Sequence, residues 1–495
     1  MSKYILSIDQ GTTGTTVAII NQRGLPKAKV NKEFRQHYPK PGWVEHNPED
    51  IWDSVLTCIR QVLDEAQIRG EEIAGIGITN QRETTLIWER ETGKPIHNAI
   101  VWQCRRTTEF CQGLKKKGLE KYIKRKTGLV IDPYFSSSKF RWLLENATGA
   151  RKKAQSGQLA GGTIDSFLFW RLTAGASHKT DVSNASRTQL MDIKSGEWDK
   201  ELLKIFSVPE NLLPEICPSS GELGQTKNVP GLPDGIPISG MAGDQQAALF
   251  GQSCFKMGEA KCTFGTGSFI LMNTGNEKVT SKHGLLTSVA WQLKNQKKFT
   301  YALEGGAFIC GAAVQWLRDE MQFFKSSAEI EQLASQVESA EGVEFVPALA
   351  GLGAPYWSPE ARGAITGLTR GSNRSHIARA TLDAMALQNV DILVAMEKDL
   401  GKKLKNLKVD GGASANNLLM QLQADYLGAK IYRPRLIETT VAGAAYLAGL
   451  GIGYWSSEKD IKEIWQVDQG FQPKITAKQQ TARLKSWHKA IKTVI

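Results

Sequence analysis

The sequence predicts an α/β fold in two similar halves, each with a mixed sheet flanked by helices, and three observations predict it. Two Gly/Thr-rich turns lie far apart in the chain, within Tyr4–Ile20 and Ala260–Asn273, each between strand-like runs. Strand-like and helix-like segments alternate around them, the pattern of a sheet covered by helices. A third glycine turn, Gly411-Gly412, follows the strand-like run that begins at Leu407. The duplicated turn suggests two halves that face a single nucleotide.

The first element reads as a β-hairpin: an apolar run ends in Asp9, a turn follows, and a second apolar run begins. The turn combines Gly11 and Gly14 with Thr12, Thr13, Thr15 and Thr16. Glycine lets a backbone approach a bulky anion, while backbone N–H groups and threonine hydroxyls donate to phosphate oxygens. Asp9 is placed to hold Mg²⁺ through water. A plain polar turn is the alternative.

Asn47-Pro48-Glu49-Asp50 predicts a helix start, with a cap, a proline and acids near the positive end of the dipole. Ile51, Trp52, Val55, Leu56, Ile59, Val62 and Leu63 then share one face. Ile73–Thr79 reads as a buried strand that leads into Asn80-Gln81-Arg82-Glu83, and Thr84–Trp88 as another strand. Strand ends are where α/β sheets bind ligands. Arg82 and Glu83 supply donors and acceptors that would bracket neighbouring hydroxyls of a polyol; a local salt bridge is the alternative. Prolines are dense from Pro209 to Pro237, which predicts a long surface excursion. Ile238–Gly251 gives a strand, a glycine turn and then Asp244 opening a helix. Asp244 suits two roles that can coexist, N-cap and proton acceptor for an attacking hydroxyl. The domain boundary is expected near residue 250, giving units 1–250 and 251–495.

In the second half Thr266 sits in the second Gly/Thr turn. His376–Leu400 has helical periodicity, and Gly401 stops it. Thr439–Ser457 carries no charge and contains Gly449-x-x-x-Gly453. Its Gly/Ala richness predicts a helix packed closely on a sheet; a membrane span is the alternative. No Gly-x-x-x-x-Gly-Lys-Ser/Thr is present, which excludes a P-loop enzyme.

The 495 residues suffice for two or three domains, and the net charge is +12. Basic residues cluster at Lys115–Lys126 and after Pro473, without a nucleic-acid motif or interleaved aromatics. They read as solvated helix faces, and the field would attract an anionic nucleotide. Seven cysteines, with no Cys-x-x-Cys, imply reduced thiols and a cytoplasmic location. No signal peptide is expected: the first apolar run is short and ends in Asp9.

The two phosphate-type turns and the late Gly-Gly turn resemble the nucleotide core of actin, the heat-shock 70 ATPases and sugar kinases. Tyr134–Asn146 resembles the first signature of the FGGY carbohydrate kinase family. Gly363-Ala-Ile-Thr-Gly-Leu, followed by His376–Asp383, resembles the second. Within that family Pro39–His46, Gly77–Thr85, Ala99–Arg106, Gly128–Phe135, Gly243–Gly251 and Gly351–Trp357 are most similar to members acting on glycerol.

The resemblance implies two actin-like (ribonuclease H-like) lobes, with a nucleotide cleft between them. It implies ATP-dependent phosphorylation of glycerol, with Mg²⁺ assistance, in a cytoplasmic homo-oligomer (dimer or tetramer). An FGGY kinase for another polyol or ketose is the alternative. Arg82, Glu83, Tyr134, Asp244 and Gln245 would hydrogen-bond the substrate, and Trp102 and Phe269 would press on its carbons. Thr12, Thr13, Gly14 and Thr266 would hold the phosphates. Gly311, Gln315, Gly412 and Asn416 would surround the rest of ATP. Asp9 and Asp244 would lie at the metal, with Asp244 as base. Thr16 stands where relatives often carry arginine, so one cationic phosphate contact is missing. Residues 224–235 also lack the arginine and histidine that some relatives use for control.

Overall fold

The computed structural model describes residues 3–495. A large mixed sheet organises each half. The first contains β1 (Tyr4–Gln10), β2 (Gly14–Ile20), β3 (Pro26–Glu33), β4 (Ile73–Asn80), β5 (Ser220–Gln225) and β6 (Pro237–Gly243). Their spatial order is β3-β2-β1-β4-β6-β5. Strands β1 to β3 run antiparallel, β4 lies parallel to β1, β6 parallel to β4, and β5 antiparallel to β6.

The second sheet repeats this plan. It contains β7 (Ala260–Phe264), β8 (Ser268–Gly275), β9 (Leu286–Trp291), β10 (Thr300–Ala307), β11 (Asn406–Asp410), β12 (Lys430–Pro434) and β13 (Val467–Phe471). The order is β9-β10-β8-β7-β11-β12-β13. The hairpin β7–β8 and strand β10 stand for β1 to β3, and the parallel strands β11 and β12 stand for β4 and β6. Strand β9 is an addition on the outer edge.

Helix α1 (Pro48–Ala66) starts as the sequence predicts, with the Asn47 side chain accepting from the Glu49 N–H at 3.1 Å. Its Ile51, Val55, Ile59 and Val62 are fully buried in one cluster with Leu6, Ile8, Val17 and Ile76 of the first sheet. Each such side chain contributes roughly 1.5–3 kcal/mol by leaving water. Helices α2 (Ser136–Asn146), α3 (Asp244–Gly251), α4 (Gly311–Asp319), α5 (Arg374–Leu400), α6 (Asn417–Leu427) and α7 (Thr439–Gly451) complete the frame needed here. Helix α5 ends at Gly401, whose φ of +67° gives the left-handed stop.

Helix α7 comes from the second half but lies on the first sheet, where Ser7 Oγ donates to the Val441 carbonyl at 2.7 Å. It also crosses α3 with backbone against backbone. A Cβ on Gly443 would stand 1.8 Å from the Ala247 carbonyl oxygen, and one on Gly251 would stand 2.0 Å from that of Thr439. The uncharged Thr439–Ser457 stretch is therefore largely interior packing. No helix among the described residues is long and apolar enough to cross a membrane.

One expectation fails in part. The proline-dense stretch is not wholly a surface excursion, because Ser220–Gln225 pairs with β6 as the edge strand of the first sheet. Prolines mark its flanks, where an edge strand tolerates them.

Candidate active site

Three neighbouring parallel strands end at one level. Asp9 of β1 stands beside Thr79 of β4, and Thr79 beside Ala242 of β6. The chain then continues into Gln81-Arg82-Glu83 after β4 and into Asp244 after β6. Asp244 is the first residue of α3 and not its cap; Gly243 holds the cap position. The Asp244 carboxylate accepts from the Gln245 N–H at 2.7 Å and faces Arg82 Nε at 3.2 Å. Burial, and then the Asp244 charge, raise Asp9 from the ordinary carboxylate range to about 7.

Behind these ends lie four buried charges. Arg82 makes a two-pronged contact with Glu304 of β10, at 2.8 and 2.7 Å, and also donates to Gln246 at 3.2 Å. Arg187 Nε donates to Glu83 Oε1 at 2.5 Å, and Arg187 Nη1 lies 3.1 Å from Glu304 Oε2. All four side chains are at most 3% exposed. Burial works to raise Glu304, but the two guanidiniums outweigh it and hold the carboxyl at about 2. Burial raises Glu83 above the ordinary carboxylate range, and Arg187 and Arg82 pull it only partly back. The Arg82–Glu304 pair joins the two halves.

A chain of aromatic rings adjoins this charge cluster through Tyr134, which lies 5.6 Å from the Arg187 guanidinium carbon. Trp102 meets Tyr134 edge-on at 5.6 Å and Phe269 at 6.3 Å, and all three are half-buried. Trp102 Nε1 also donates to Thr12 Oγ1 of the first turn at 2.9 Å. Gln245 accepts through its amide oxygen from the buried Lys261 Nζ, which also donates to Thr263 Oγ1 at 2.8 Å. Lys139 Nζ donates to the carbonyls of Glu83 at 3.3 Å, Tyr134 at 2.5 Å and Phe135 at 3.1 Å.

In the first turn the Gly11 N–H donates to the Gly14 carbonyl at 2.9 Å, and Thr13 is exposed. Thr16 pairs with Asp9 across the hairpin, and its hydroxyl accepts from Asn31 Nδ2 at 2.9 Å. The second turn is joined to the start of α4. The Gly311 N–H donates to the Gly265 carbonyl at 3.0 Å, and the Thr266 carbonyl accepts from Cys310 and Ala312. Gly411, with φ +85°, packs against Phe264 where a Cβ would come within 2.5 Å of its carbonyl oxygen. Thr266, Gln315 and Gly412 are exposed, and Asn416 caps α6 by accepting from the Leu419 N–H at 2.8 Å. The second-half residues Thr266 and Gly311 are thus drawn to one place, beside the Gly411-Gly412 turn.

Sequence reasoning assigned no role to Arg187, Glu304, Lys139, Lys261 or Gln246. Two signals were present: a glutamate at position 304 inside an otherwise apolar strand, and Lys261 likewise inside a strand. A charge at a core position of a strand asks for a partner.

The arrangement offers a polar floor under an apolar ring wall, with two phosphate-type turns and carboxylates at the strand ends. A matching architecture occurs in solved enzymes. The glycerol kinase of Plasmodium falciparum, determined with ADP, superimposes with a TM-score of 0.93 at 38% identity over 99% of this chain and 98% of that one. The chain is 60% identical over 494 residues to a glycerol kinase of Bdellovibrio bacteriovorus, covering 100% of both. It is 55% identical to one of Caldanaerobacter subterraneus, covering 99% of this chain and 98% of the relative. The models for the N-terminal and C-terminal domains of the FGGY family of carbohydrate kinases match residues 4–251 and 260–452. With both domain models matched in order across most of its length, the chain belongs to the FGGY family of carbohydrate kinases.

Proposed function

We propose that this chain transfers the γ-phosphoryl group of ATP to glycerol, giving sn-glycerol 3-phosphate and ADP. The observation that carries the reading is the buried Arg82–Glu83 pair next to Tyr134, whose ring meets Trp102, which in turn meets Phe269. A short triol matches that combination: its hydroxyls take the polar floor and its carbons the rings. Full-length relatives named glycerol kinase support the same substrate. A longer polyol or a ketose is disfavoured by the three large rings beside the cluster.

A glycerol hydroxyl attacks the γ-phosphorus in line. Asp244 accepts its proton as the new O–P bond forms, and ADP leaves with the electrons of the broken bond. In this reading Arg82, Glu83, Tyr134, Asp244 and Gln245 orient glycerol. Thr12, Thr13, Gly14 and Thr266 hold the phosphates, while Gly311, Gln315, Gly412 and Asn416 surround the nucleoside. Thr16 contributes no charge, and its hydroxyl oxygen is already engaged by Asn31.

The carboxylates fit Mg²⁺. Burial, and secondarily the Asp244 charge, raise Asp9 to about 7, a cost that a cation beside the two carboxylates relieves. No cluster of three or more metal-ligating side chains occurs among the described residues, which suits an ion that keeps its waters and takes one or two carboxylates plus phosphates. Bound there, Mg²⁺ would neutralise charge developing on the transferring phosphoryl group. The seven unpaired cysteines, all buried, fit the reducing cytoplasm.

The test is ADP release measured by a coupled assay over glycerol, ribitol, xylulose and gluconate. Glycerol should give the highest kcat/KM, by about tenfold or more. A higher value for a longer polyol, ketose or sugar acid would overturn the assignment.

A further inference from the structure

We propose that Arg187 is a positioning residue that keeps Glu83 ionised, so that Glu83 accepts from substrate hydroxyls and does not donate to them. This deepens the function proposed above and rests on it.

The division of labour between the two arginines carries the inference. Arg82 commits both terminal nitrogens to Glu304, and its Nε lies 3.2 Å from Asp244. Its closest approach to the Glu83 carboxylate is 4.0 Å. Arg187 alone donates to that carboxylate, at 2.5 Å. Lys139 faces Glu83 too, but spends its ammonium on backbone carbonyls. Tyr134, Glu304 and, across Arg82 Nε, Asp244 also face Glu83.

Arg187 sits there at a cost. Its side chain is fully buried, Nη2 has no hydrogen-bond partner, and Nη1 faces Glu304 Oε2 at 3.1 Å without making a hydrogen bond. What holds it besides the carboxylates is the rings of Phe135 and Tyr134, 5.2 and 5.6 Å from the guanidinium carbon. A buried guanidinium with unused donors is expensive unless its charge is needed.

Glu83 is itself held in an uncommon backbone conformation, with φ +61°. Its carbonyl accepts from Thr85 Oγ1 at 2.9 Å, Ser136 Oγ at 3.2 Å and Lys139 Nζ at 3.3 Å. Backbone and carboxylate are therefore fixed separately, and the second task falls to Arg187.

Without Arg187 the cluster would keep Arg82 against Glu83, Glu304 and Asp244. Glu304 retains its two-pronged partner, so the proton that relieves the excess negative charge goes to Glu83. A protonated Glu83 presents an O–H where the substrate also presents one.

The test measures kcat, KM for glycerol and KM for ATP from pH 6 to pH 9. It compares wild type with Arg187→Met, Arg187→Lys, Glu83→Gln and the double variant Glu83→Gln/Arg187→Met. Arg187→Met should raise the glycerol KM about tenfold or more at pH 7, with the ATP KM within about twofold. The deficit in kcat/KM should shrink as pH rises, because Glu83 then loses its proton. Arg187→Lys should recover part of the loss and flatten the pH dependence. The double variant should be within about threefold of Glu83→Gln alone.

A deficit that does not change with pH, or losses that multiply in the double variant, would overturn the proposal. Should Arg187→Met fail to fold, judged by thermal unfolding and ATP binding, Arg187→Gln, which also removes the charge, faces the same two criteria. A wild-type enzyme that ignores glycerol would instead refute the substrate assignment, and the Arg187–Glu83 coupling would then be read on whichever substrate it prefers.

Discussion

Trp102 Nε1 donates a 2.9 Å hydrogen bond to Thr12 Oγ1, tying the ring wall to the first Gly/Thr turn. The bond has a direction. The indole can only donate, so it occupies a lone pair of the threonine oxygen and leaves the O–H proton free to point at an anion. Trp102→Phe keeps an aromatic ring but removes that donor. A hydrogen bond contributes about 1 kcal/mol net, so the ATP KM should rise about fivefold, although residue 102 belongs to the ring wall. An ATP KM equal to wild type in steady-state assays would show that the bond does not order the turn.

Asp244→Asn should reduce kcat by about 100-fold or more, the usual contribution of a proton acceptor. The amide keeps an oxygen for the Gln245 N–H, so α3 should still start at residue 244. ATP binding, followed by calorimetry, should persist. Retention of more than about a tenth of wild-type kcat would remove Asp244 from the role of base.

Propane-1,3-diol should be a far poorer substrate than glycerol. A buried site built for hydroxyls leaves polar groups unpaired when one is missing, and such sites discriminate by up to about 10⁴-fold. Glu83→Ala should narrow the gap between the two substrates. Equal kcat/KM values in the wild-type enzyme would mean that Arg82 and Glu83 do not read hydroxyls.

Gly443→Ala should destabilise the protein by about 3 kcal/mol, the upper end of the usual overpacking cost. The added methyl would meet the Ala247 carbonyl oxygen at 1.8 Å, and backbone cannot move aside as a flexible side chain would. Denaturant titration should show an earlier unfolding midpoint. A midpoint unchanged from wild type would show that α3 and α7 separate easily.

Much of this was legible in the sequence because it is local. The hairpin at Asp9, the helix start at Asn47 and the strand into Arg82 follow from periodicity and turn chemistry within short windows. Asp244 was placed correctly at a helix start, but its capping role was not: Gly243 takes the cap position, which frees the carboxylate for Arg82. The Arg82–Glu304 pair spans 222 residues, and no window contains both partners. The same holds for α7, whose uncharged sequence announces burial without naming the sheet that buries it. Edge strand β5 was hidden by its flanking prolines.

The placement of α7 has a consequence for synthesis. Val441, Ala445, Leu447 and Ala448 pack with Ile5, Ala18 and Ile20 of the first sheet in one buried cluster. A nascent chain that has not yet reached residue 439 therefore displays that face of its oldest strands to water. The part made first is finished by a part made late, and until then its exposed apolar face invites chaperones or aggregation. For the same reason, cutting the gene near codon 250 would not yield a well-behaved first half, because its missing cover is encoded almost at the other end.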